Sequence, residues 1–218
     1  MIKDCFFYVA CVFLFIGCAN GQSNKNDDAI AKIPASKAGE KLATFGGGCF
    51  WSMSEALSEF KGVNRVVSGF AGGNTKNPTY DEVCTRTTGH AEVVQVYYDP
   101  KVISYSTIAE GFFNAHDPTT IDRQGPDVGD DYRSIAFYRN AEEKNVLNAV
   151  IKKVNASKHY SDPVVTQVVP FKVFYAAENY HQGYYKDHMS QPYIRSVSKP
   201  KVEKFRRAMN GYLKPEFK

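Results

Sequence analysis

Residues 46–51 read Gly-Gly-Gly-Cys-Phe-Trp and place one cysteine directly after a run of three glycines. Glycines carry no side chain, so they let another molecule come close to the sulfur of Cys49. Large apolar residues recur with helical spacing from Phe50 to Phe60, which puts Cys49 at the first turn of a predicted helix. A helix N-terminus carries partial positive charge and favours a thiolate over a thiol. The stretch therefore predicts a nucleophilic sulfur.

The bulk composition indicates one globular domain with some chain left over. The chain has 218 residues, of which 43% are hydrophobic and 14% are aromatic, which is enough for a single core. A net charge of +4 is too small to indicate a nucleic-acid partner. Three of the five cysteines lie in the first 18 residues, and no Cys-x-x-Cys pair is present. We therefore expect neither a disulfide framework nor a metal site.

The N-terminal segment predicts export. Residues 5–16 form an almost unbroken apolar run, which is short for a transmembrane helix but suits the core of a secretory signal. The run ends at Gly17-Cys18, which resembles a bacterial lipoprotein signal with a lipidated cysteine. We expect a signal peptide over residues 1–17, a flexible polar tether over residues 18–39, and a lipoprotein anchored in the periplasm or on the cell envelope. A plain signal peptide and an uncleaved anchor are the alternatives.

Local patterns predict an α+β fold for residues 40–190. Strands are predicted at 41–45, 63–70, 93–98, 132–138 and 163–169, and helices at 50–60, at 104–115 and after Asn140, where Glu143 completes a capping box. A helical turn is expected at 79–84 and a long irregular segment at 116–132. This order favours a two-layer sheet-and-helix domain over a Rossmann fold. The basic extension, residues 191–218, is predicted to be a solvated helix face.

Seven short motifs occur in order along this domain: GGCFW at 47–51, NPTY at 77–80, TGHAE at 88–92, HDPT at 116–119, RQGPD at 123–127, YRS at 132–134 and ENYHQ at 178–182. Together they resemble the peptide methionine sulfoxide reductases of type A, and the resemblance extends over residues 42–187. It implies a ferredoxin-like two-layer α+β core with packed helices and long coil segments.

The resemblance also implies how the reaction is divided among the matched residues. Cys49 matches the cysteine whose thiolate attacks the sulfoxide sulfur, and Glu92 matches the acid that protonates the sulfoxide oxygen. A carboxyl group near apolar walls should have a raised pKa, so we expect Glu92 to be protonated near neutral pH. Asp127 matches a polar residue that lines the site.

Four aromatic residues complete the implied site. Tyr80 and Tyr132 match hydroxyls that hydrogen-bond the sulfoxide oxygen. Such groups are needed because a sulfoxide sulfur is electrophilic only when its oxygen is protonated or strongly hydrogen-bonded. Phe50 and Trp51 match the apolar pocket for the methyl group.

The implied activity is that of a peptide-methionine (S)-S-oxide reductase. Such an enzyme returns the S epimer of methionine sulfoxide, in proteins and in free form, to methionine and leaves a sulfenic acid on Cys49. No bound cofactor is implied, because the electrons come from an external thioredoxin-like protein or a dithiol. We expect a monomer that contacts a membrane only through a lipid on Cys18.

The sequence does not identify the thiol that would regenerate Cys49. Some branches of the family have a second cysteine three residues after the first, where this chain has Ser52, and others have cysteines near the C-terminus, where this chain has none after Cys84. Either Cys84 forms a disulfide with Cys49, or an external thioredoxin-like thiol attacks Cys49 directly. An exported enzyme would need a reducing partner outside the cytoplasm.

Two other functions fit parts of the pattern. Cys49 and His90 would be the nucleophile and base of a cysteine hydrolase or acyl transferase, although no Gly-x-Cys-x-Gly elbow is present. A non-enzymatic lipoprotein that binds oxidised peptides is the second alternative. Otherwise we predict that His90, His181 and His188 are hydrogen-bonded structural groups.

Overall fold

The computed structural model describes residues 27–218, so the predicted signal peptide and Cys18 lie outside the described residues. The elements follow in this order: β1 (Lys41–Gly46), α1 (Phe50–Ser58), β2 (Val63–Ala71), α2 (Tyr80–Cys84), β3 (Ala91–Tyr98), α3 (Tyr105–Ala115), β4 (Arg123–Gln124), β5 (Asp127–Val128), β6 (Ile135–Tyr138), α4 (Ala141–Ser157), β7 (Gln167–Pro170), β8 (Phe174–Ala176), α5 (Tyr184–Asp187) and α6 (Lys199–Met209). No helix in this part of the chain combines the length and the apolar character that crossing a membrane requires.

Six strands form one mixed sheet in the order β7-β6-β1-β3-β2-β8. Neighbouring strands are antiparallel, except for β6 and β7, which run parallel. β4 and β5 form a separate short hairpin inside the segment predicted to be irregular. Helices pack against the sheet, so the domain is an α+β fold, as the order of predicted elements indicated.

The two faces of the sheet are covered differently. Helices α1 and α3 cover one face, where the rings of Phe45 and Phe112 stack at 4.8 Å. The other face lies under N-terminal coil: Ala31 joins the apolar cluster there, and the Tyr97 hydroxyl donates to the Pro34 carbonyl at 3.0 Å. From residue 27 onward the prediction of a flexible tether over 18–39 is therefore wrong, because this coil is needed to bury the sheet. With both faces covered, all eight residues of β3 are buried.

Several element boundaries differ from their predictions. β6 begins at Ile135 rather than at residue 132, because Tyr132 closes a 3₁₀ turn over Asp130–Tyr132. β7 begins at Gln167 rather than at 163. Strand β8 has three residues and no alternating pattern of its own, and it forms by pairing with the edge of β2.

The C-terminal extension packs onto the body. Val202, Phe205 and Met209 of α6 are buried, and the Arg206 guanidinium forms a bidentate pair with the fully buried Glu59 carboxylate at 2.6 and 2.9 Å. The predicted solvated helix face is therefore only one side of this helix. The other side follows the spacing 202, 205, 209, an apolar stripe that the surrounding basic residues conceal in the sequence.

Candidate active site

Cys49 lies between β1 and α1 and is the N-cap residue of α1. Gly48 before it has φ +80°, a conformation that glycine adopts without strain. A Cβ atom on Gly48 would lie 2.4 Å from Cγ of Gln124, and one on Gly47 would lie 2.8 Å from the His116 ring. The glycines therefore leave room for the protein's own side chains to pack against the turn.

Cys49 is 6% exposed. Burial, followed by the nearby Glu92 carboxyl, raises its pKa well above the usual range. The positive end of α1 does not overcome this desolvation, because Cys49 lies away from solvent. The prediction of a resting thiolate is therefore wrong, and in the free protein the sulfur carries its proton near neutral pH.

Glu92 lies on β3 beside the start of α1. Its Oε2 accepts the Phe50 backbone N–H at 2.9 Å, and its carboxyl lies within hydrogen-bonding reach of the Cys49 thiol. Burial is the largest cause that raises the pKa of Glu92, to about 8, and the Asp131 and Asp127 charges add to it. The predicted rise of this pKa is confirmed, so Glu92 is a proton donor at neutral pH.

Tyr80 and Tyr132 come from separate elements and meet at this carboxyl. Tyr80 begins α2, and its N–H donates to Glu178 Oε1 at 2.9 Å. Burial and then the Glu92 charge raise the pKa of both tyrosines, so both hydroxyls stay protonated and can donate. Tyr132 faces Cys49 and Cys84 as well. Its carbonyl accepts the Gly48 N–H at 3.1 Å, which ties this tyrosine to the turn that carries the cysteine.

Trp51 forms an aromatic wall with two tyrosines from later in the chain. Its ring stacks on Tyr184 at 3.9 Å and 13°, and Tyr193 meets it edge-on at 5.9 Å. The indole N–H donates to His181 Nδ1 at 3.1 Å. Phe50 is 1% exposed and its ring packs against the rings of Tyr80 and His181. Phe50 therefore backs the site, while Trp51 is only half-buried and faces it.

The three histidines act as hydrogen-bonded structural groups, as predicted. His181 is fully buried, and burial lowers its pKa to about 4, so it accepts from Trp51 as a neutral ring. Both ring nitrogens of His90 meet backbone groups, the Gly73 N–H at 3.1 Å and the Thr75 carbonyl at 2.8 Å. Both nitrogens of His90 are therefore used in hydrogen bonds to the backbone, so His90 is not available as the base of a cysteine hydrolase. His188 stacks on Tyr184 at 3.8 Å.

Asp127 begins β5 and joins the site to the C-terminal extension. Its Oδ2 accepts the Tyr193 hydroxyl at 2.7 Å and lies 3.7 Å from Lys201 Nζ. Tyr193 also neighbours Cys49 and lowers the pKa of its thiol, against the larger effect of burial. Sequence reasoning missed Tyr193 and Lys201, because nothing local distinguishes them from other tyrosines and lysines of a basic tail.

Cys84 is the last residue of α2 and is exposed. Within residues 27–218, Cys49 and Cys84 are both free thiols. Burial is the largest cause that raises the pKa of Cys84, and the Tyr80 hydroxyl, which hydrogen-bonds the Cys84 sulfur, lowers it. Tyr132 therefore neighbours both sulfurs, which are not joined by a disulfide.

The known proteins that this chain matches in sequence are described as peptide methionine sulfoxide reductases. A family model for peptide methionine sulfoxide reductase matches residues 41–212. A Saccharolobus solfataricus protein named peptide methionine sulfoxide reductase MsrA is 50% identical over 165 residues, which is 76% of this chain and 92% of the relative. A protein of the same name from Thermus thermophilus is 47% identical over 176 residues, which is 81% of this chain and 99% of the relative.

Solved structures agree with the sequence comparisons. Reduced Mxr1 from Saccharomyces cerevisiae has a TM-score of 0.68 and 32% identity, covering 72% of this chain and 91% of its own. Methionine sulfoxide reductase A of Corynebacterium diphtheriae has a TM-score of 0.63 and 28% identity, covering 77% of this chain and 91% of its own. The similarity therefore extends over nearly the whole of these relatives.

Proposed function

This chain belongs to the peptide methionine sulfoxide reductase family, and on that premise we propose which of its residues carry the reaction. The chain is an enzyme that reduces methionine sulfoxide. We propose that it acts on the S epimer at sulfur, in proteins and in the free amino acid. One observation carries the assignment: the buried, protonated Glu92 carboxyl lies beside the buried Cys49 thiol, and this is the acid that a sulfoxide needs.

The chemistry divides between the sulfur and the oxygen of the substrate. The Cys49 sulfur attacks the sulfoxide sulfur while Glu92 gives its proton to the oxygen, and the proton of the Cys49 thiol replaces it on the Glu92 carboxylate. Tyr80 and Tyr132 hold that oxygen with protonated hydroxyls. The sulfoxide S–O bond breaks and a Cys49 S–O bond forms, so methionine leaves and a sulfenic acid remains. The substrate sulfur is reduced by two electrons and the cysteine sulfur is oxidised by two.

The methyl group of the substrate is assigned to the aromatic wall. Trp51 is half-buried and held in place by Tyr184 on one face and by His181 at its N–H. Phe50 supports it from below as a fully buried ring. An apolar wall also excludes water from the reacting sulfur, which strengthens the contacts of the oxygen with its donors.

The direct test is an epimer-resolved reductase assay with a dithiol. We expect wild type to consume only the S epimer at sulfur and Cys49→Ser to consume neither, while Cys84→Ser serves as a matched cysteine control that retains activity with the dithiol. Turnover by Cys49→Ser would refute the assignment of the nucleophile. Ester or amide cleavage without reductant would favour a cysteine hydrolase, and binding of oxidised peptide without turnover would favour a binding lipoprotein.

Two routes for regenerating Cys49 remain proposals. Cys84 is supported by its neighbours, since Tyr80 hydrogen-bonds its sulfur and Tyr132 faces both sulfurs. An external thioredoxin-like thiol is the other route, because Cys49 and Cys84 are the only cysteines among residues 27–218. One turnover without reductant decides between them. A loss of two free thiols would assign Cys84, and a lasting sulfenic acid would assign the external thiol.

Three further proposals concern the finer fold, the location and the assembly. A ferredoxin-like core is supported by the chain order β1-α1-β2-β3-α3-β6 and the strand order β6-β1-β3-β2. Export as a lipoprotein is supported by the apolar run and Gly17-Cys18, and we propose that the protein is a monomer. Mass spectrometry of the protein from cells tests this: a lipidated Cys18 at the mature N-terminus is expected, and retention of residues 1–17 would refute it.

A further inference from the structure

The buried side chain of Glu178 lies between two parts of the substrate site. Its Oε1 accepts the backbone N–H of Tyr80 at 2.9 Å, at the first residue of α2. Its Oε2 lies 3.9 Å from His181 Nε2, which is longer than a hydrogen bond but close enough for an electrostatic contact. His181 in turn accepts the indole N–H of Trp51. One carboxyl group therefore connects Tyr80 with the aromatic wall at Trp51.

The contacts of His181 fix which ring nitrogen carries its proton. The indole N–H of Trp51 can only donate, so His181 Nδ1 has to be the acceptor at 3.1 Å. Burial lowers the pKa of His181 to about 4, and the single N–H of the neutral ring is then on Nε2. Nε2 and Glu178 Oε2 are both buried, and neither has a hydrogen-bond partner among residues 27–218. Glu178 Oε2 is therefore the acceptor that faces this N–H.

The backbone around Glu178 is held without its side chain. Glu178 pairs with Ile30 in an antiparallel bridge. The Gln182 amide group accepts the Ser68 N–H at 2.9 Å and donates to the Ser68 carbonyl at 3.0 Å. These contacts hold the segment against β2 and the N-terminal coil, and they use neither carboxyl oxygen of Glu178. Both oxygens therefore remain for Tyr80 and His181.

We propose that Glu178 is a positioning residue of the reductase, which sets the tautomer of His181 and thereby the place of Trp51 relative to Tyr80. The proposal rests on the function proposed above and deepens it, because Trp51 and Tyr80 are the residues assigned to the methyl group and the oxygen of the substrate. Glu178 acts through the two residues that it contacts and not on the reacting atoms.

The opposite tautomer would displace the aromatic wall. A proton on His181 Nδ1 would face the indole N–H across 3.1 Å, and two donors cannot share that contact. The Trp51 ring would then move relative to the His181 ring, which packs against the Tyr80 ring at 4.3 Å. A shift of about 1 Å in a residue that positions the substrate can slow a reaction about 100-fold. The tautomer therefore matters for the rate as well as for the packing.

Glu178→Gln separates the two contacts. The carboxyl group offers an oxygen to each of two N–H groups, whereas an amide has one oxygen and one NH2 group. The backbone N–H of Tyr80 cannot give up its proton, so we expect the amide oxygen to stay there and the NH2 group to face His181 Nε2. The His181 proton then moves to Nδ1 and the indole hydrogen bond is lost. The variant keeps the shape of the side chain and changes the tautomer.

The primary measurement is 15N NMR of the histidine rings and of the indole group. We expect the Nε2–H tautomer of His181 in wild type and the Nδ1–H tautomer in Glu178→Gln. Trp51 is the only tryptophan and gives one indole N–H signal, whose proton should exchange with solvent about tenfold faster in the variant. Glu142→Gln is the matched control, because Glu142 is exposed on α4, and it should keep the wild-type spectrum and rate.

The kinetic measurement is kcat/KM for methionine sulfoxide. We expect Glu178→Gln to lower it by about 10- to 100-fold. His181→Phe keeps a ring but removes the acceptor, so it should lower kcat/KM as well. If Glu178 acts through His181, adding Glu178→Gln to His181→Phe will cause no further loss. Thermal melts by circular dichroism establish that each variant is folded before it is compared.

The outcomes separate the positioning role from the function that it serves. An unchanged His181 tautomer in Glu178→Gln would refute the proposal, and so would a changed tautomer with the wild-type kcat/KM. A further loss in the double variant would also refute it. A wild-type protein that does not reduce methionine sulfoxide would refute the reductase assignment instead, and the NMR result does not depend on turnover.

Discussion

Replacing Glu92 by glutamine should remove a pH dependence of stability while keeping the shape of the site. Glu92 is 2% exposed, and its Oε2 accepts the Phe50 N–H at 2.9 Å. The amide oxygen of glutamine can accept the same hydrogen bond, so Glu92→Gln changes the titration of the group and little else. The effect of the variant on stability therefore reports the buried proton of Glu92.

The magnitude follows from the raised pKa. Burial moves the pKa of Glu92 from 4.5 to about 8, and each pKa unit corresponds to about 1.4 kcal/mol. Between these values the native protein holds a proton that the unfolded chain has lost. The free energy of unfolding therefore falls as pH rises from 4.5 to 8, by about 4 to 5 kcal/mol in total. The contribution is complete below pH 4.5 and lost above pH 8.

The measurement is the free energy of unfolding from urea titrations of wild type and Glu92→Gln at steps between pH 4.5 and 9. The variant should gain on wild type by about 4 kcal/mol across this window. Taking the difference removes groups that both proteins share, such as Glu55, whose pKa burial raises to about 7. A difference that stays constant over the whole window would show that Glu92 is ionised in the native protein and would remove it as the acid.

Three further predictions concern the surroundings of the site. Arg206→Met leaves the buried Glu59 carboxylate unpaired and should lower the free energy of unfolding by about 2 to 3 kcal/mol at pH 7. Adding Glu59→Gln to this variant should recover most of the loss. An Arg206→Met variant as stable as wild type would contradict the prediction. Gly48→Ala would place a side chain at φ +80° with its Cβ 2.4 Å from Gln124 Cγ. It should lower the free energy of unfolding in urea by about 2 to 4 kcal/mol, whereas an unchanged midpoint would show that the turn relaxes freely. Trp51 is the only tryptophan, and its partner His181 has a pKa lowered to about 4, so fluorescence should stay constant from pH 8 to 5 and change only near pH 4; a transition near 6.5 would contradict the neutral ring.

The elements that sequence patterns predicted well are those held by local contacts. Asn140 caps α4 by accepting the Glu143 N–H at 2.9 Å, and the apolar stripe of α1 is buried at Phe50, Met53 and Leu57. Both depend on residues three or four positions apart, which a sequence displays directly. β8 and the coil over the second face depend on partners far away in the chain, so their local patterns carry no signal.

The sequence by itself determined the family, and it predicted the reacting cysteine and the residues proposed to hold the substrate oxygen, because these occur in ordered motifs. It also determined that Glu92 would hold its proton, since a carboxyl among apolar residues must be desolvated. Only the tertiary structure decided that Cys49 rests as a thiol, because its burial depends on elements from the whole chain. Only the tertiary structure brought Tyr193 and Lys201 to Asp127, because the packing of a distant helix face put them there. The charge state and the burial of a side chain depend on the residues that pack around it in the folded protein, so the sequence alone does not show them.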